Sequence, residues 1–168
     1  MAPRYRRRRY LLSRSSKTRY SNVTYAAISQ FVNNQENQYV IQFTGATSVL
    51  GTRKCKNFTL SLCSNSIVPF NFALVFVPEG TSPSQLHAGV SVSEGVLLAA
   101  SLYEPNQNVI LSGSFGGPNS TVEKFKTRLA RNLNSGDRIV LIVKPLQYDP
   151  DSTDQVLVNA MVNYAISY

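Results

Sequence analysis

Between residues 156 and 168 every second position is apolar: Val156, Val158, Ala160, Val162, Tyr164, Ile166 and Tyr168. Successive side chains of an extended chain point to opposite sides, so this spacing places all seven on one face. A helix would scatter the same residues around its circumference. A segment this long with a period of two needs a second layer to cover it, and the search for that layer organises the rest of the chain.

Other runs repeat the signal. In residues 38–44, Tyr39, Ile41 and Phe43 alternate with Gln38, Val40 and Gln42. In 54–64, Phe58, Leu60 and Leu62 share one face, with Thr59 and Ser61 opposite. Residues 70–78 and 137–147 are apolar on both faces, as expected of strands buried deep in a sandwich. Residues 94–103 and 108–115 read as two further strands joined at Glu104-Pro105-Asn106. The segment EKFKTRLARNL (123–133) fits two templates. Phe125, Leu129 and Leu133 are four apart, but Phe125, Thr127, Leu129, Arg131 and Leu133 also hold a period of two, and a strand is preferred. Residues 23–31 alternate only loosely, with Val23, Tyr25 and Ala27 set against Thr24, Ala26 and Ile28, and are left out of the strand count. Turn clusters separate the runs: VNNQEN, GATSVLG, FGGPN, DPDSTD, and Asn134-Ser135-Gly136-Asp137, which reads as a hairpin turn. Ser82 before Pro83 signals one short helical turn. Eight strands with no helix-length crossovers predict an all-β, antiparallel sandwich or jelly roll.

Charge divides the chain differently. Of 17 Lys and Arg residues, eight fall in the first twenty positions, and the first acidic residue is Glu36. Nine basic and nine acidic residues follow, so the formal charge of +8 resides on the arm alone. Residues 1–22 therefore read as a like-charged arm, and 23–168 as a neutral folded domain. No run of 18 apolar residues offers a transmembrane helix. Only Tyr10-Leu11-Leu12 follows the first basic cluster, too short for a secretory leader. Cys55 and Cys63 would lie about 26 Å apart along one strand, too far to bond, which suits a reducing compartment. The sequons at Asn22, Asn57 and Asn119 would then go unused.

Few residues offer catalysis. His87 is the single histidine, and no G-x-S-x-G elbow accompanies it. Two cysteines and one histidine cannot complete a four-ligand zinc site. The glycine-rich stretch 113–117 (GSFGG) lacks the lysine of a P-loop. Asp149, Asp151 and Asp154 miss the EF-hand spacing and read as a solvated turn. The expectation is a protein that is not an enzyme and takes no cofactor and no metal.

The arm needs only charge and flexibility. Arg4, Arg6, Arg7, Arg8, Arg9, Arg14, Lys17 and Arg19 supply phosphate contacts, and Tyr5, Tyr10 and Tyr20 supply surfaces on which unpaired bases stack. Such a polycation binds single strands largely by counterion release. Two further basic sets, Arg53, Lys54 and Lys56, and Lys124, Lys126 and Arg128, either line the same surface or form a plain solvated face.

An Arg- and Tyr-rich arm leading into eight strands resembles the capsid proteins of small circular single-stranded DNA viruses, the circovirus and nanovirus-like group. The similar stretches are MAPRYRRRRY, ALVFVPEGTSPSQL, LYEPNQNVILSG and RLARNLNSGDRIVLIV. The resemblance implies an eight-stranded antiparallel jelly roll of two facing four-stranded sheets. Its strands B to I would fall at 38–44, 54–64, 70–78, 94–103, 108–115, 123–133, 137–147 and 155–167. It further implies an icosahedral homo-oligomer of sixty copies that packages single-stranded DNA, with about 480 arm charges directed at the genome. The arm would double as a nuclear localisation signal read by the host import machinery. The protein would reside in the virion, and in the host nucleus during assembly, without membrane contact. The capsid of a small RNA satellite virus, or another nucleic-acid-binding β-domain, shares the same features and is the alternative.

Overall fold

The computed structural model describes residues 18–34, 39–43, 51–82, 108–116, 121–147 and 149–167. These form eight strands: β1 (Tyr20–Val32), β2 (Tyr39–Gln42), β3 (Arg53–Ser64), β4 (Phe70–Val77), β5 (Val109–Phe115), β6 (Glu123–Leu133), β7 (Arg138–Pro145) and β8 (Gln155–Ser167). No helix occurs among the described residues.

Two four-stranded antiparallel sheets result, with strand orders β1-β8-β3-β6 and β2-β7-β4-β5. One rule generates four of the six pairings: strand n lies beside strand 9 − n. Thus β1 pairs with β8, β2 with β7, β3 with β6 and β4 with β5. The chain is a long two-stranded ribbon folded back at β4 and β5, then rolled so that β3 also meets β8 and β4 also meets β7. Rolling moves the chain to the other sheet at every connection except β4 to β5. The Asn134–Asp137 turn accordingly does not close a hairpin, because β6 and β7 belong to different sheets. It is built from Asp137, whose carboxylate accepts the N–H groups of Asn134 (2.6 Å) and Glu79 (3.1 Å). Gly136 adopts φ = +84°, and a Cβ there would meet the Glu79 carboxyl carbon at 2.4 Å.

The inner faces share one core. β8 contributes Val156, Val158, Ala160, Val162 and Tyr164; β3 contributes Cys55, Phe58, Leu60 and Leu62; the second sheet answers with Ile41, Phe70, Phe72, Leu74, Ile139, Leu141 and Val143. Each fully buried Leu, Ile or Phe contributes about 2 kcal/mol. The two-sided strands are also as expected. Beyond the shared core, β4 and β7 bury a second cluster of Ala73, Val75, Val77, Val140 and Ile142 on their other face.

Two expectations need adjustment. First, residues 23–31 do form a strand. β1 is an edge strand, so it needs apolar residues on its inner face only, and Val23, Ala27 and Phe31 provide them. Second, β1 starts at Tyr20, paired with Ser167, so residues 20–22 belong to the sheet rather than to the arm. The expected strand at 94–103, His87, and Pro83 of the expected helical turn lie outside the described residues.

The ambiguous segment 123–133 is a strand. Phe125 packs against Phe72 with ring centroids 4.6 Å apart, and Leu129 packs on the core, while Lys124, Lys126 and Arg128 are exposed. Arg131 keeps the inward phase, and its guanidinium donates to the carbonyl oxygens of Ala130 and Val109. Replacing Leu129 with Asp forces a carboxylate against this core and is expected to cost at least ~2 kcal/mol in urea unfolding. Lys126→Asp should change stability by no more than about 0.5 kcal/mol. Equal losses at both positions would contradict the observed phase of β6.

Candidate nucleic-acid interface

The outer face of the β1-β8-β3-β6 sheet is where described basic side chains gather. On β6 the alternation exposes Lys124, Lys126 and Arg128. On β3, Cys55 turns into the core, so Lys54 and Lys56 turn out. Arg53 shares the phase of Cys55 and lies on the other side of the strand, which separates it from the pair it adjoins in sequence. Glu123 is the single carboxylate on these four strands, and its Oε1 is occupied by the Gly116 N–H at 2.8 Å. The remaining described acids, Glu79, Asp137, Asp149, Asp151 and Asp154, sit in the connections.

The registers align this face in rows. Lys126 stands opposite Thr59, which stands opposite Asn163, which stands opposite Thr24. One row further on come Lys124, Ser61, Met161 and Ala26. The face thus grades from cationic at β6, through hydroxyl and amide groups on β3 and β8, to apolar at β1, where Ile28 is 70% exposed.

Tyr20 ties the arm's attachment point to this face. Its ring lies beneath Lys56 Nζ, 3.7 Å from the ring centroid, a cation–π contact. Arg19, immediately before it, is exposed. Nearby, Ser167 Oγ accepts the Lys54 N–H at 2.8 Å and holds the start of β3 against β8. Of the sequence-derived candidates, Tyr20, Lys54, Lys56, Lys124, Lys126 and Arg128 therefore belong to one sheet face. Arg4 through Lys17 lie outside the described residues.

The residues between these groups gave less signal. Asn57 interrupts β3 with φ = +58°, a left-handed conformation that Asn tolerates better than most residues. The interruption resets the phase, so that Cys55 and Phe58, three apart, both face inward. That odd spacing of two apolar residues within one run is the trace a bulge leaves in sequence.

Elsewhere the chemistry is subdued. Burial pushes the Cys55 thiol up to about 12 and raises Tyr39 and Tyr164; Cys55 and Tyr25 beside Tyr164 reinforce its shift. One cavity of about 480 Å³ is lined by residues including Asn33, Asp149 and Asp154. Its aspartates are engaged in their own loop: Asp149 Oδ1 accepts the Asp151 N–H, and Asp154 donates its N–H to Ser152 Oγ. Among the described residues no three His, Cys, Asp or Glu side chains converge to hold a metal ion. No protein-family model matches the chain, and no curated protein is significantly similar to it.

Neither cysteine forms a disulfide, and the two face opposite ways, Cys55 buried and Cys63 half-buried. With its pKa near 12, Cys55 carries roughly one part in ten thousand of thiolate at pH 8. Ellman's reagent is therefore expected to label one thiol per native chain at pH 8, to lose that signal in Cys63→Ser, and to reach Cys55 only after denaturation. Because the folded pKa is raised, the stabilisation from keeping this thiol neutral is complete below about pH 9 and is lost as pH climbs toward 12.

Proposed function

We propose that this chain is the shell-forming subunit of a small icosahedral virus and packages single-stranded DNA through its arginine-rich arm. One observation carries the reading: the segment that holds the whole net charge enters the body at Tyr20, beside Lys56, on the same sheet face that exposes Lys54, Lys124, Lys126 and Arg128. A shell protein needs this polarity, because a closed wall must present every arm to the same side.

The fold supports the reading as well. A ribbon whose strand n pairs with strand 9 − n, rolled into two facing sheets, is the jelly-roll arrangement common in viral capsids. In this reading the letters B to I run over β1 to β8. B, C, D and E each move one strand earlier than the resemblance suggested, and F to I stay in place. Sixty copies would line the interior with cationic faces and arms. Import into the host nucleus is a second use of the same arm, and assembly there precedes residence in the virion. The chain contributes binding and assembly and no bond-breaking chemistry.

Electron microscopy of the purified full chain tests the assembly. Uniform shells about 20 nm across, holding nucleic acid, are expected, and monodisperse monomers would end the capsid reading. Release of DNase-sensitive material is expected from opened shells; RNase-sensitive cargo would favour the satellite-virus alternative.

Removing residues 1–18 spares the Tyr20–Ser167 pairing, so the variant should unfold at the same urea concentration as the full chain while losing most of its affinity for oligo-dT. The double substitution of Lys126 and Arg128 by Ala should flatten the plot of log affinity against log salt by about 1.4, the value for two phosphate contacts on a single strand. An unchanged slope would assign all of the binding to the arm.

A further inference from the structure

The irregularity in β3 is matched by another in β6, and the two coincide. Asn57 has no opposite residue in either neighbouring strand: pairing with β8 skips from Lys56–Ala165 to Thr59–Asn163, and pairing with β6 skips from Lys56–Ala130 to Phe58–Thr127. The first skip leaves an extra residue on β3, and the second leaves one on β6. Arg128 and Leu129 are thereby released from the ladder. The Leu129 N–H turns to Thr127 Oγ1 at 3.2 Å, and Arg128 is left exposed at the gap.

A bulge bends its strand and interrupts the ladder locally, and here two fall at one place on β3. Here they open a pit of about 390 Å³ lined by Asn57, Phe58, Thr59, Lys126, Thr127 and Arg128. Its volume falls in the range of small-molecule sites. Its rim carries two cations, two hydroxyls and one carboxamide, and no carboxylate. Phe58 closes the floor, 1% exposed. The guanidinium of Arg128 offers paired donors whose fork matches a phosphate, and Lys126 adds a point charge two residues away.

We infer that this pit is a phosphate subsite that takes one phosphodiester group, with its sugar, from a single strand lying on the basic face. The inference rests on the nucleic-acid reading above and makes it specific. The face then binds its ligand at a fixed point as well as through diffuse attraction, and Asn57 is there because the parted backbone needs a residue that accepts φ = +58°. Thr59 and Thr127 are suited to hydrogen-bond phosphate or sugar oxygens at the pit's edge.

Covalent footprinting of the full chain, with and without oligo-dT, tests the subsite. Acetylation reads Lys126 against Lys124, and phenylglyoxal reads Arg128 against Arg138. Bound oligonucleotide is expected to slow modification of Lys126 and Arg128 at least fivefold and that of Lys124 and Arg138 less than twofold. Equal protection of Lys124 and Lys126 would mean a diffuse electrostatic face and would overturn the subsite. So would binding with no protection at Lys126 and Arg128, which would leave the arm as the sole contact. Failure of the full chain to bind oligo-dT at all would instead remove the underlying nucleic-acid reading.

The charge-conserving variant Arg128→Lys gives a second readout. It keeps the net charge and loses the fork, so affinity should fall about tenfold while the salt slope stays unchanged. Affinity equal to that of the unaltered chain would overturn the subsite, because a face that acts by charge alone does not distinguish the two residues.

Discussion

The fold depends on β8 keeping its alternation unbroken. This strand lies between β1 and β3 and pairs with β1 from Tyr20–Ser167 to Val32–Gln155. Its inward side chains are the centre of the core shared by both sheets. A slip of one residue would turn Val156, Val158, Ala160, Val162 and Tyr164 outward together and deprive Phe70 and Phe72 of part of their facing layer. β1 depends on β8 most of all. It is an edge strand with half-exposed side chains, and its chief support is its neighbour's ladder. The arm's attachment point is fixed in space because β8 fixes β1.

How far the sequence revealed this follows from where packing alone sets the pattern. Strands with one buried face announced themselves: residues 54–64 and 155–167 fell where they were expected, and 123–133 was settled by its period of two over a competing helical spacing. The two-sided strands β4 and β7 were legible as unbroken apolar runs. The edge strand was not, because an edge needs few apolar residues, and Tyr25, Ala26, Ala27 and Ile28 blur the alternation. The Asn134–Asp137 turn was recognised as a turn but given the wrong partners. Local chemistry dictates that the chain reverses there; whether it reverses within a sheet or crosses to the facing one is decided by distant strands.

The candidate site divides along the same line. That Lys124, Lys126 and Arg128 share a face follows from strand periodicity. That Arg53 departs from Lys54 and Lys56 follows from it too, once the strand's inward residues are known. The Tyr20–Lys56 contact spans 36 positions and was beyond local reasoning. The pit was also hidden, although Cys55 and Phe58 hinted at it. Both are inward and apolar, and strict alternation cannot accommodate a spacing of three. Had β3 run without interruption, Cys55 and Cys63 would point the same way, opposite Leu60; the bulge sends one into the core and the other out.

The two sheets differ in what they leave exposed, and that asymmetry limits where a charged partner can approach. The β2-β7-β4-β5 sheet is apolar on both sides of its central strands, with Ala73, Val75, Val77, Val140 and Ile142 buried behind the shared core. Those side chains are buried, so a charged ligand does not reach that face of the central strands. The β1-β8-β3-β6 sheet buries one face only, and its other face carries the lysines and Arg128 with one carboxylate among its strands. A neutral domain has thus acquired a cationic side without a net charge, because its described acids other than Glu123 sit in the connections while five of its bases stand on that sheet's outer face. The potential at that side is then set by local charges rather than by the total.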